Sequence, residues 1–271
     1  MEFFTAVFDA LTTTQIDLKL QKVEYLQANF YTYNMQHDIE IKSIKTPSYA
    51  PFCKVIHPTR LQRPKGGNSK EALAKILHSV AHIEYNAIDL GLDAAYRFRH
   101  LPLEYYYDFI TLAGEEVLHF KLLESLLKEL GYNYGDFFVH DNLFCAMQST
   151  QTLIDRMALV HKGLEALGLD ANPFVRKKIE QAQTPLKSQI LAALDRILHD
   201  EIGHVSKGVK WLNYAQKLYN DNCSLCEILQ GYDFNIIGKI PNIEARLEAG
   251  YSMQEIESLQ QTWVLLLYKF I

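Results

Sequence analysis

Two short stretches carry the same chemistry. Glu115-Glu116-Val117-Leu118-His119-Phe120 reads acid, acid, apolar, apolar, histidine, apolar, and Asp200-Glu201-Ile202-Gly203-His204-Val205 repeats acid-acid-x-x-His-apolar. Both lie among leucines and isoleucines, where a charged group without a partner is costly. Residues three or four apart share a helix face, so each Glu-x-x-His aims a carboxylate and an imidazole the same way. Hard oxygen donors with imidazole suit Fe(II) or Mn(II) better than a thiolate-seeking metal. A zinc-protease signature places His directly before Glu, but Glu115 and Asp200 stand there instead.

Single acids match these pairs. Glu84 lies on the stripe of Leu77 and Ile88. Glu116 and His119 share that of Phe109, Leu112, Leu123 and Leu130, and Glu201 and His204 that of Ile190, Leu194, Ile197 and Trp211. Glu165, at the edge of the stripe Leu153, Met157, Val160 and Leu164, fits least well. An antiparallel helix pair brings together residues equally far from its turn. The midpoint of Glu84 and Glu116 is residue 100, in the break His100-Leu101-Pro102, and that of Glu165 and Glu201 is residue 183, in the break Gln183-Thr184-Pro185.

The positioning elements follow from helix signals. Asn68 with Glu71 resembles a capping box, and the first helix runs to about Phe98 with Leu73, Val80, Leu92 and Ala95 also on its stripe. The second ends at Leu130, before Gly131. A crossover spans 132–144. The third helix covers about Ser149 to Leu167 and stops at Gly168; Asn172-Pro173 opens a short helix to about Gln183. Thr184-Pro185 opens the fourth, to about Tyr219. The expected fold is all-α, a four-helix bundle over 69–219. A lead-in of 1–68 precedes it, and accessory helices of 220–271 follow.

The inventory is four carboxylates and two histidines: Glu84, Glu116, His119, Glu165, Glu201 and His204. Di-iron and di-manganese bundles take a Glu from each of two helices and a Glu-x-x-His from each of the other two. Two divalent ions would cancel the four negative charges. Glu115 and Asp200 either orient a histidine from behind or form surface salt bridges. His161, four before Glu165, reads as a partly exposed histidine, a gate or a donor to that acid. His82, Asn86, Asp89 and Asp93, with Arg97, form a second stripe, read as a packing or salt-bridge face toward 1–68 or 220–271. Tyr85 and Phe120 read as core.

Composition bounds the rest. The chain has 271 residues, 48% hydrophobic and 22% charged, with a net charge of −5 that gives no field favouring nucleic acid. A local basic run, Arg60 to Lys65 through Arg63, reads as a solvated loop. The run Trp263 to Leu267 is too short to cross a membrane, and MEFFTAVFDAL does not read as a signal peptide. Four cysteines fit a reducing cytoplasm. Cys223-x-x-Cys226 lacks the companion ligands that zinc or redox motifs need.

AHIEYNAIDLGLDA, YGDFFVHDNL, RMALVHKGLEALGLD and LHDEIGHV resemble an uncharacterised bacterial family of ferritin-like proteins in the di-iron carboxylate superfamily. The similarity covers about 60–235 and extends distantly to rubrerythrin and to the tRNA hydroxylase acting on methylthio-isopentenyl-adenosine. The resemblance implies a ferritin-like bundle with two Fe ions per chain, Mn being the alternative, held by the six residues above. The resemblance brings no established reaction; the paired Glu-x-x-His motifs, with oxygen-rich ligands and room for open positions, point to an oxidoreductase that uses O₂ or peroxide on an organic substrate, a small molecule or a modified nucleoside, with an external electron donor. The chain lacks the paired CxxC motifs of a rubredoxin-like tail. The alternative is a ferritin-like protein that binds or detoxifies iron without an organic substrate. A third reading is a helical protein that holds no metal.

Overall fold

The structure is a computed structural model that describes residues 1–61, 64 and 66–268, with side chains to residue 261. Arg63 and Lys65 of the basic run, and the side chains of Trp263 to Leu267, lie outside the described residues. Among the described residues there is no strand, only the isolated bridges Glu2–Asn34 and Val55–Val139, so the all-α class holds. No described helix is long and apolar enough to cross a membrane. The chain forms two compact units, residues 1–144 with 181–193 and residues 145–180 with 194–271.

The first unit contains α1 (Phe3–Thr12), α2 (Ile16–Ala28), α3 (Lys70–Arg97) and α4 (Leu103–Glu129). Ser69, not Asn68, caps α3: its hydroxyl accepts from the Ala72 amide at 3.1 Å. Gly131 takes the left-handed φ of 72° that ends α4, as its position requires. α3 and α4 run antiparallel, with the Tyr105 hydroxyl donating to Ala94 O at 3.1 Å across the break. Val80 is half-buried, while Leu73, Leu77, Ile88, Leu92 and Ala95 are buried.

The second polar stripe of α3 fastens the lead-in. Asp89 pairs with Lys19 at 2.5 Å and accepts from Ser48 Oγ at 2.7 Å. Lys19, fully buried, also donates to Ala10 O and Leu11 O in the last turn of α1. Arg97 Nη2 lies 2.9 Å from Asp93 Oδ1, the expected i+4 pair. His82 joins the crossover, with Nδ1 2.8 Å from Tyr134 Oη and Nε2 2.7 Å from His140 O. The face toward 1–68 is therefore a hydrogen-bonded seam.

α5 (Asn142–Ser149) begins in the first unit and ends in the second. The second unit continues with α6 (Leu153–Asp155), a π-helix (Arg156–Leu164) and α7 (Ala166–Gln181). α8 (Lys187–Tyr219) belongs to it from Leu194 on, and α9 (Leu225–Leu229), α10 (Ile243–Glu248) and α11 (Met253–Tyr268) follow. The expected break at Gly168 and restart at Pro173 do not occur: α7 runs through both. Pro173 lacks the amide that would bond Leu169 O. Asn242 Nδ2 donates to that carbonyl instead, at 3.3 Å, which removes the main objection to an internal proline. α7 packs on α8, with Asn172 Nδ2 donating to Leu194 O at 2.9 Å and Arg176 pairing with Asp195 at 2.9 Å.

Gly208 of α8 lies directly on the π-helix. A Cβ there would stand 2.3 Å from His161 O, a backbone atom that cannot swing away. Gly203, in the same helix, would meet nothing within 4 Å. Gly208→Ala should therefore lower stability by about 1–3 kcal/mol through overpacking. Gly203→Ala should raise it by up to about 1 kcal/mol through helix propensity. Urea unfolding of the two variants checks the opposite signs.

Candidate metal centre

In the first unit, the α3–α4 hairpin brings Glu84 opposite Glu116 and His119. His119 Nδ1 lies 3.1 Å from Glu84 Oε2 and 3.2 Å from Glu116 Oε2. The ligand atoms of these three side chains lie within 4.8 Å of one another, and all three residues are buried. Tyr85 and Phe120, the expected core aromatics, are fully buried and meet edge to face at 5.1 Å. Two carboxylates and an imidazole converging in an apolar interior could hold a divalent ion.

Without a cation the three groups share protons. Burial, then the charge of Glu116, pushes the Glu84 carboxyl up to about 7, against the opposing bond from His119. Burial alone would lower His119. Its hydrogen bonds to Glu116 and Glu84, with their charges, outweigh that and raise the imidazole to about 12. The imidazolium thus supplies the positive charge that a metal would otherwise bring.

The second unit carries the mirror inventory. Glu165, Glu201 and His204 are buried. His204 Nδ1 lies 3.9 Å from Glu201 Oε2, beyond a hydrogen bond but on the same helix face. A Cβ on Gly168 would stand 3.8 Å from Glu201 Cδ, so the segment one turn beyond Glu165 passes beside that carboxylate.

His161 corrects the expectation of a partly exposed side chain. It is fully buried, and its Nδ1 lies 2.8 Å from Glu165 Oε1. Glu165 Oε2 is buried without a hydrogen-bond partner. One oxygen is held by the imidazole while the other stays available, a donor set that fits a metal ligand. Asp200 is half-buried and forms an ion pair with Arg196 at 2.5 Å, and Glu115 is half-buried as well. Cys223 is exposed and Cys226 half-buried, both as free thiols.

The π-helix was not expected. In it Glu165 N bonds Val160 O at 3.2 Å, five residues back, which adds a residue to the turn and re-aims every side chain after it. All of 156–164 is buried, so Glu165 lies inside although it fits a regular apolar stripe poorly. Single π-turns often lie at functional sites, but no residue pattern at 156–164 marks one.

Metal binding should release protons. At pH 7 His119 must lose its proton and Glu84 about half of one, so the first unit alone should release between about one and two. Affinity should fall as pH falls, because protons compete for the same atoms. Calorimetry in buffers of different ionisation enthalpy measures the count. In metal-free protein His119→Ala leaves two buried carboxylates facing each other and should cost about 3–5 kcal/mol in urea unfolding.

No solved structure matches the chain. A protein of Haemophilus influenzae described as an uncharacterized protein is 41% identical over 199 residues, which cover 70% of this chain and 68% of that one. The family model described as Protein of unknown function (DUF455) matches residues 12–257, nearly the whole length and both candidate ligand sets. The chain therefore belongs to the DUF455 family.

Proposed function

We propose that the two ligand sets serve one dinuclear centre, in which Glu84, Glu116, His119, Glu165, Glu201 and His204 hold two iron ions. The helices over 69–219 would form a ferritin-like four-helix bundle, with 1–68 and 220–271 packed as cover. The observation that carries this reading is the pairing within each hairpin: a buried single Glu on one arm and a buried Glu-x-x-His on the other. Charge supports it too. Four carboxylates and two neutral imidazoles balance two divalent ions, and each shell is rich in oxygen. Manganese satisfies the same donors.

The function this supports best is oxidation or hydroxylation of an organic substrate with O₂ or peroxide, with electrons from an external donor. The bound ions would supply the redox chemistry, and the protein would fix their geometry and keep water out. The chain's own residues have separate tasks. Glu116 and Glu201 carry the acid of each repeated motif, and His119 and His204 add neutral nitrogen once deprotonated. His161 holds one oxygen of Glu165 so that the other faces a single direction. Tyr85 and Phe120 pack on each other and on Tyr134, which holds α3 and α4 together at the positions next to Glu84 and His119.

Protein purified from iron-replete cells should contain about two metal ions per chain, as two such sites require. Adding Fe(II) and air to metal-free protein should give near-ultraviolet ferric absorption. Glu116→Ala and Glu201→Ala should each lower the metal content to about one or less. Fewer than one ion in the parent protein, with mild effects of both variants, would mean a purely structural helical protein. Many ions per chain in a large assembly would mean iron storage instead.

A further inference from the structure

The C-terminal segment grips the part of the second unit from which Glu165 projects. Three of its side chains donate to three carbonyls flanking Glu165. Tyr251 Oη donates to Lys162 O at 2.6 Å. Arg246 Nη2 donates to Ala166 O at 3.4 Å, and Asn242 Nδ2 to Leu169 O at 3.3 Å. These carbonyls bracket the junction at which five-residue bonds give way to the regular helix, where the ladder is weakest.

The grip is anchored rather than incidental. Arg246 is fully buried and reaches both oxygens of Asp170, at 2.9 and 2.7 Å. The Gly238 and Asn242 amides complete that carboxylate at 2.7 and 2.9 Å. Lys162 pairs with Glu255, and its ammonium lies 4.8 Å from the centre of the Tyr251 ring. Ile236 fills the space against Gly163, where a Cβ would stand 2.9 Å from its Cγ2. A surface tail needs none of this buried charge. The cost of ordering it is offset only if the geometry underneath matters.

We infer that residues 236–255 are a positioning element for Glu165, with Tyr251 and Asn242 the residues through which it acts. They hold the π-to-α junction in the register that sets His161 against one Glu165 oxygen and leaves the other for metal. The inference rests on the dinuclear reading and assigns a task to the segment beyond α8. Tyr251 and Asn242 touch no reacting atom. They act through backbone carbonyls.

The test uses the full chain, metal-free, titrated with Co(II) alone and followed by its visible spectrum and by calorimetry. Tyr251→Phe removes one hydroxyl and keeps the ring. Asn242→Ala removes the donor to Leu169 O and serves should the first variant fold poorly. Tyr96→Phe, which loses a buried hydroxyl that accepts from the Lys42 amide in the first unit, is the control. Tyr251→Phe should weaken one of two Co(II) sites by about tenfold and leave the other unchanged. Hydrogen exchange at amides 163–168 should speed up with it, and Tyr96→Phe should do neither. Equal Co(II) affinities in the parent protein, Tyr251→Phe and Asn242→Ala, with two ions bound, would overturn this role alone. Parent protein that takes up no Co(II) would overturn the dinuclear reading and this role together.

Discussion

Like charges buried together are the constraint around which this molecule is organised. Glu84 and Glu116 converge in an apolar interior, where two carboxylates repel strongly and neither can reach water. The chain answers with His119, whose ring nitrogen faces both acids at 3.1 and 3.2 Å. A protonated imidazole is a modest substitute for a divalent cation. The same atoms that share its proton would share a metal, and an apolar core has no other reason to contain them. Removing either acid in favour of leucine would relieve repulsion, so their presence is best explained by chemistry rather than stability.

The second unit meets the same constraint by a different route. Glu165 is held by His161 one helical turn away, and the backbone between them is a π-helix. The irregular segment needs support, and α8 supplies it on one side by bringing Gly208 against His161 O. Residues after α8 supply it on the other through Tyr251, Arg246 and Asn242. In the first unit no such device is needed, because α3 and α4 are regular and Lys19 and Ser48 fix Asp89 on the opposite face of α3. Each hairpin is thus braced from outside by a segment that a minimal bundle would lack.

Sequence pattern made much of this legible. The Glu-x-x-His repeats, the apolar stripes and the breaks at His100–Pro102 and Gln183–Pro185 place both hairpins, because helix periodicity and turn chemistry act locally. What pattern could not give depends on contacts distant in sequence. Asn242 rescues the carbonyl that Pro173 abandons, so a proline that reads as a restart lies inside a continuous helix. His161 looks half-exposed on an ordinary helical wheel, but every residue of 156–164 is buried, so the segment is enclosed on all sides by contacts distant in sequence. The choice of Ser69 over Asn68 as cap turns on one residue of register, where two good capping residues are adjacent.

We propose that the acids and histidines of the two repeats ligate two metal ions together. Anomalous diffraction at the iron edge from crystals of iron-loaded protein tests it most directly. Two peaks per chain are expected, flanked by Glu84, Glu116 and His119 and by Glu165, Glu201 and His204. Shared ligation is contradicted if those six side chains surround no anomalous density while iron-loaded crystals carry iron only at the surface.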